Sequence, residues 1–237
     1  MTLAFRPSSR CQPRVDQVGV ERSPVMVIDN LADDPQALID YAASLAPFPP
    51  AARTYYPGVT APVPRAYALG VHAFLHNAIC ETFGLGDSEV VGGGCDFSLV
   101  TKRPEDLHLR QLVPHIDSTE TSFIALLHYL CPGELGGTSL YRHRRTGYEV
   151  ISADRVDAYE ASIGQELKTA GRPTECINGD TAQFERIASY EAVFNRMLVY
   201  RGASLHSGNI GANFPFDPDP RAGRLTLNLF LLFRPRR

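Results

Sequence analysis

The run Arg224-Leu225-Thr226-Leu227-Asn228-Leu229-Phe230-Leu231 constrains this chain more than any other stretch. Polar and apolar residues alternate along it. That is the period of a β-strand, whose successive side chains point to opposite faces. Leu225, Leu227 and Leu229 share one face; Arg224, Thr226 and Asn228 share the other. Packing the leucine face against helices aims the arginine and threonine into the interior of a β structure. A guanidinium buried there needs an anionic partner, because an unpaired buried charge is costly.

The rest of the chain is long enough to build such an interior. It has 237 residues, 44% hydrophobic and 21% charged, the balance of a globular protein with a sizeable core. That composition excludes a disordered tail and a disulfide miniprotein. The net charge of -3 carries no global footprint for nucleic acid. No stretch approaches the ~20 apolar residues of a membrane helix. Met1 to Gly19 holds arginines at 6, 10 and 14 without an apolar run, so no export signal is read there. The five cysteines are odd in number and never spaced C-x-x-C, and a reducing cytoplasm is expected. No heptad pattern specifies an oligomer.

One domain spanning 1–237 is expected, without repeats or low-complexity tracts. Residues 1–94 read as a strand and helices flanking a β core at 95–237, which carries a helical insertion at about 143–190. Val25–Ile28 reads as a strand. Asp34 followed by Pro35 supplies a cap and a first-turn proline, and Leu38, Ile39, Ala42 and Leu45 follow at helical spacing, predicting a helix over 35–46. A second helix is expected near 67–83, stopped at Gly84. Strands are expected at 96–100, 122–130, 138–142, 196–201 and 224–233, with a helix at 153–169. Short strands joined by Gly/Pro turns point to a mainly β fold with flanking helices, its core a jelly roll or barrel.

The chemistry concentrates in Pro114-His115-Ile116-Asp117-Ser118. On a strand, His115 and Asp117 present an imidazole and a carboxylate on one face, suited to a metal ion. His206, just past the 196–201 strand, is the candidate third ligand. Two histidines and a carboxylate with open positions form the facial triad of non-haem Fe(II) oxygenases. Gly136-Gly137, ahead of the strand at 138, permits a tight turn or close backbone approach.

In that order the motifs resemble the Fe(II)/2-oxoglutarate-dependent oxygenases, and most closely the prolyl 4-hydroxylase-like branch, over about 95–233. The order is His-x-Asp, Tyr129-Leu130, Glu134-Leu135-Gly136-Gly137, a distal histidine, then Arg224 with a hydroxyl two residues on. The resemblance implies a double-stranded β-helix (jelly roll) core. It implies iron held by His115, Asp117 and His206, and 2-oxoglutarate paired at its distal carboxylate with Arg224 beside Thr226. It further implies Tyr129, and less directly Ser139, as cosubstrate contacts. The activity implied is hydroxylation of a peptidyl side chain, an amino acid or a small metabolite, with no nucleic-acid or membrane partner. A metal-binding module of the same fold without oxygenase activity is the alternative, marked by an Arg224 turned away or already paired with a protein carboxylate.

Three departures stand out. The loop from His206 to Arg224 is long and makes Arg221 a rival for the cosubstrate arginine. Cys131 stands where the branch has asparagine. The insertion carries the basic run Arg142-His143-Arg144-Arg145, read as a solvated face or a site for an acidic substrate. His128 reads as a packing histidine, His108 and His143 as solvated loop residues, and His72 and His76 as an ordinary helix pair.

Overall fold

The computed structural model describes residues 3–51 and 56–236. All strand pairing within it is antiparallel, in two sheets. The seven-stranded sheet contains β1 (Gln12–Val18), β2 (Ser23–Asp29), β3 (Gly58–Pro62), β4 (Ser88–Val100), β5 (Phe123–Tyr129), β8 (Met197–Arg201) and β10 (Leu225–Pro235). Its order is β1-β2-β8-β5-β10-β4-β3. The three-stranded sheet contains β6 (Thr138–His143), β7 (Phe184–Tyr190) and β9 (His206–Gly208), in the order β7-β6-β9. Three α-helices complete the described fold: α1 (Pro35–Ser44), α2 (Arg65–Thr82) and α3 (Val156–Ala170).

The alternation of β10 sets the layers. Leu225, Leu227, Leu229, Leu231 and Phe233 pack with Leu38 and Ile39 of α1 and Val71, Leu75 and Ile79 of α2. Each leucine removed from water there contributes about 1.5–3 kcal/mol. The opposite face of the large sheet carries Ala125, Leu127, Tyr129, Leu198 and Tyr200, which pack with Leu140 of β6 and Tyr190 of β7. The far side of the small sheet, with Tyr141 and Phe184, is covered by Tyr159, Ile163 and Leu167 of α3. Helices, large sheet, small sheet and helix therefore stack in that order.

Local chemistry explains the helix ends. The Asp34 carboxylate accepts the Ala37 N–H at 3.0 Å, and Pro35 occupies the first turn of α1. Gly84, with φ +62°, ends α2 where a left-handed residue is needed. α3 starts three residues later than expected, because the Ser152 hydroxyl bonds Asp154 rather than capping the helix.

Two expectations need correction. Residues 1–94 do not merely flank the core: β1, β2, β3 and the first half of β4 are strands of the large sheet. Their sequences hid this, since β1 is largely exposed and polar and β4 passes through Gly92-Gly93-Gly94. A Cβ on Gly93 would sit 2.0 Å from the Phe230 carbonyl oxygen, so the close strand approach needs glycine. The 143–190 insertion is not only helical either, for it ends in β7, which pairs along β6. No helix among the described residues is long and apolar enough to cross a membrane.

Candidate metal centre and anion pocket

His115 and Asp117 do not lie on a strand, as the His-x-Asp spacing had suggested. A single bridge holds His115 against His206, each N–H donating to the other's carbonyl at 2.9 Å. The Asp117 N–H donates to the Gly202 carbonyl at 2.7 Å. These backbone bonds to the β8–β9 connection do the work the strand was expected to do. The two imidazole rings lie 4.3 Å apart between centroids, and His206 Nε2 stands 3.7 Å from Asp117 Oδ2. One ligand atom from each of the three side chains falls within 4.8 Å of the others, the only such cluster among the described residues.

The donor set suits a metal ion. His206 Nδ1 lies 2.9 Å from the Ser204 carbonyl oxygen. A carbonyl only accepts, so Nδ1 carries a proton, and Nε2 is the nitrogen turned toward Asp117. That outer hydrogen bond is how proteins fix the tautomer of a ligating histidine. The protein packed around the ring, reinforced by His206, lowers the His115 pKa and favours the neutral imidazole a ligand needs, although the residue keeps an exposed edge. Burial raises the Asp117 carboxyl, and neighbouring His206 opposes that rise. His206 is buried, whereas the Asp117 side chain keeps 18% of its surface open, so the cluster faces outward along one edge. Two nitrogens and one carboxylate on one side of an ion leave its other positions free for exchangeable ligands.

Arg224 lies on the same inner face. It is 4% exposed, and Nε and Nη2 donate to the carbonyls of Gly136 and Gly137 at 3.2 and 2.9 Å. Its guanidinium stands 5.6 Å over the Tyr129 ring. Among the described residues no carboxylate pairs with it. The paired glycines make this possible: a Cβ on Gly136 would lie 1.9 Å from the Asn209 oxygen, and one on Gly137 1.7 Å from the Tyr190 oxygen. The rival Arg221 is half exposed and paired with Asp40 on the surface.

Tyr129 and Thr226 face each other across β5 and β10 and are both buried. The Tyr129 hydroxyl donates to Thr138 at 2.7 Å, and burial pushes its pKa up to about 12. Tyr56 reaches Arg224 and Thr226 as well. Ser139 does not join them. It alternates to the other side of β6, where its hydroxyl bonds Asn209 and Ser189. Thr138, one residue earlier, is the hydroxyl on the side of Tyr129, a distinction that needs the register of β6 and was invisible in the sequence. Gly202 was missed too. A Cβ there would lie 2.6 Å from the Phe123 ring and 3.2 Å from the Asp117 Cβ.

The remaining histidines divide. His128 is buried on the opposite face of the large sheet, bonded to Asn195, and burial lowers it to about 4. His108 is exposed. His143, expected in solvent, is fully buried on β6 between Thr146 and Glu166, at 2.9 and 2.8 Å. His72 and His76 contact each other on α2 at 3.1 Å. The basic run is neutralised rather than free: Arg142 pairs with Glu149 and Glu185, Arg144 with Asp180 and Arg145 with Glu166.

A family model matches residues 9–231. The chain belongs to the DUF6445 family, a family of unknown function. No curated protein matches this DUF6445 chain. Among solved structures it is similar to a novel N-substituted L-amino acid dioxygenase from Burkholderia ambifaria AMMD, at 10% identity, covering 89% of this chain and 84% of that one with a TM-score of 0.42. The same enzyme in complex with alpha-KG matches at 11% identity, 90% and 86% coverage and a TM-score of 0.42. HygX from Streptomyces hygroscopicus, with nickel and 2-oxoglutarate bound, matches at 10% identity, 91% and 84% coverage and a TM-score of 0.40. At such distances the function of this DUF6445 member has to be read from its own side chains.

Proposed function

We propose that this protein is an Fe(II)- and 2-oxoglutarate-dependent oxygenase with a double-stranded β-helix core, related to the prolyl 4-hydroxylase-like branch. Its reaction is hydroxylation of a peptidyl side chain, an amino acid or a small metabolite, in the cytoplasm. One observation carries the reading. A cluster of two histidines and a carboxylate shares the space between the sheets with a buried guanidinium that, among the described residues, has no acidic partner.

His115, Asp117 and His206 would hold the iron, and Arg224 the distal carboxylate of the cosubstrate through charge-assisted hydrogen bonds. Iron there supplies the redox chemistry that couples decarboxylation of 2-oxoglutarate to oxidation of a substrate C–H bond. The protein's part is positional. Ser204 orients His206, the Gly202 carbonyl anchors Asp117, and the Gly136 and Gly137 carbonyls aim Arg224. Thr226 and Tyr129 line the wall beside it. A binding module without oxygenase chemistry would have Arg224 turned outward or neutralised; its inward setting favours the oxygenase.

Calorimetry on Mn(II)-loaded protein tests the reading. 2-Oxoglutarate is expected to bind the loaded wild type and not the His115→Ala protein. Equal binding to both, or none to the loaded wild type, would overturn it.

A further inference from the structure

The small sheet covers only part of the large one. On the inner face of β10, Arg224 and Thr226 are buried, whereas Asn228, Phe230 and Leu232 further along are half-buried. Register extends that open strip sideways. Asn228 lies opposite Asp96 of β4, and Leu232 opposite Phe123 of β5. The result is an uncovered shelf on the face that also carries the anion pocket.

The shelf starts at the metal centre. The Phe123 ring and the Asp117 Cβ flank Gly202, 2.6 and 3.2 Å from where a Cβ would stand on it. Phe123 stacks on Phe230, with centroids 5.6 Å apart and planes at 22°. Both rings are half-buried, so an apolar platform runs outward from the open edge of the cluster.

The far end of the shelf is different. Asn228 Nδ2 donates to the Ser98 hydroxyl at 2.8 Å, which fixes the amide and leaves Oδ1 as an acceptor. Asp96 beside it is exposed, and among the described residues no basic side chain pairs with its carboxylate. The protein around Asp96 raises its carboxyl, with no cation to oppose the rise. An end built only of acceptors receives an ammonium and repels a carboxylate. β4 and β5 flank β10, so this end stands two strand spacings, about 10 Å, to the side of β5.

We infer that this shelf seats the substrate to be oxidised, and that the substrate is a small amine. Its apolar body lies on Phe123 and Phe230, and its ammonium pairs with Asp96 beside the Asn228 carbonyl. The inference rests on the oxygenase reading and narrows its substrate to a cationic metabolite.

The test is calorimetry on protein loaded with Mn(II) and 2-oxoglutarate, in low salt. The probes are 4-phenylbutylamine and its neutral counterpart 4-phenylbutanol. A lysine side chain carries the same ammonium, so N-acetyl-lysine amide serves as the peptidyl form. The amine is expected to bind wild type roughly fivefold more tightly than the alcohol, the upper range for a partly exposed ion pair. Asp96→Asn is expected to erase that preference, with alcohol and 2-oxoglutarate affinities unchanged within about twofold. Phe230→Leu is expected to weaken amine and alcohol alike, because it removes the platform and keeps the charge. No binding of the amine, equal binding of amine and alcohol, or a preference that survives in Asp96→Asn would overturn the inference and leave the oxygenase reading standing. Tighter binding of the lysine amide than of the free amine would overturn the assignment to a small molecule. Failure of metal-loaded wild type to take up 2-oxoglutarate, before any amine is added, would overturn the oxygenase reading itself.

Discussion

The two faces of β10 belong to one strand and are separated by a single residue step, yet they carry opposite kinds of chemistry. The face with Leu225, Leu227 and Leu229 is apolar and covered by α1 and α2. The face with Arg224 and Thr226 is polar, equally buried, and turned toward the small sheet and the His115–Asp117–His206 cluster. The first gains from leaving water. The second loses by burying a charge that nothing among the described residues neutralises, a loss a protein sustains where a ligand makes it good. Stability and binding should therefore separate cleanly between the faces.

The largest separation is expected at the metal ligands. His115→Ala should lower metal affinity at least roughly 100-fold, by equilibrium dialysis, while the metal-free protein melts within a few degrees of wild type. Retained stoichiometric binding would move the site elsewhere. On the opposite face the pattern should invert. Leu227→Ala is expected to cost about 2–5 kcal/mol in urea denaturation, with metal stoichiometry preserved in the folded protein.

His128 sharpens the comparison, because it is a histidine on the helix side with no ligand role. Burial lowers it to about 4, so between about 6.5 and 4 the unfolded chain takes up a proton that the folded one refuses. Stability should fall as pH drops through that window, by on the order of 3 kcal/mol from this group. His128→Asn should flatten the slope measured by urea titrations across that range. An unchanged slope would assign the acid sensitivity to other groups. The smallest effect is expected for Arg221→Ala, whose half-exposed pair with Asp40 is worth at most ~1 kcal/mol, with anion binding unaltered. Loss of 2-oxoglutarate binding there would transfer the role from Arg224.

The faces also differ in how well they could be read beforehand. The leucine face, the helix it covers and the Asp34–Pro35 cap were legible, because hydrophobic period and capping chemistry are local. The metal ligands were legible as residues but not as structure: the His115–Asp117 segment is extended by bonding to Gly202 and His206, a long-range event. β3, β7 and β9 escaped notice because they are short or polar, and pairing rather than propensity makes them strands. His143 was misjudged for the same reason, since Glu166 lies on a helix whose approach no local pattern encodes. Which hydroxyl of Thr138 and Ser139 meets Tyr129 was decided by register alone.

The most direct test of the central claim is an anaerobic titration of Fe(II)-loaded protein with 2-oxoglutarate, following the visible charge-transfer band of the chelate. The oxygenase reading predicts a band that saturates in the wild type and is absent over the same range in Arg224→Met, whose iron content stays unchanged. Iron bound without a band, or an equal band in both proteins, would contradict it.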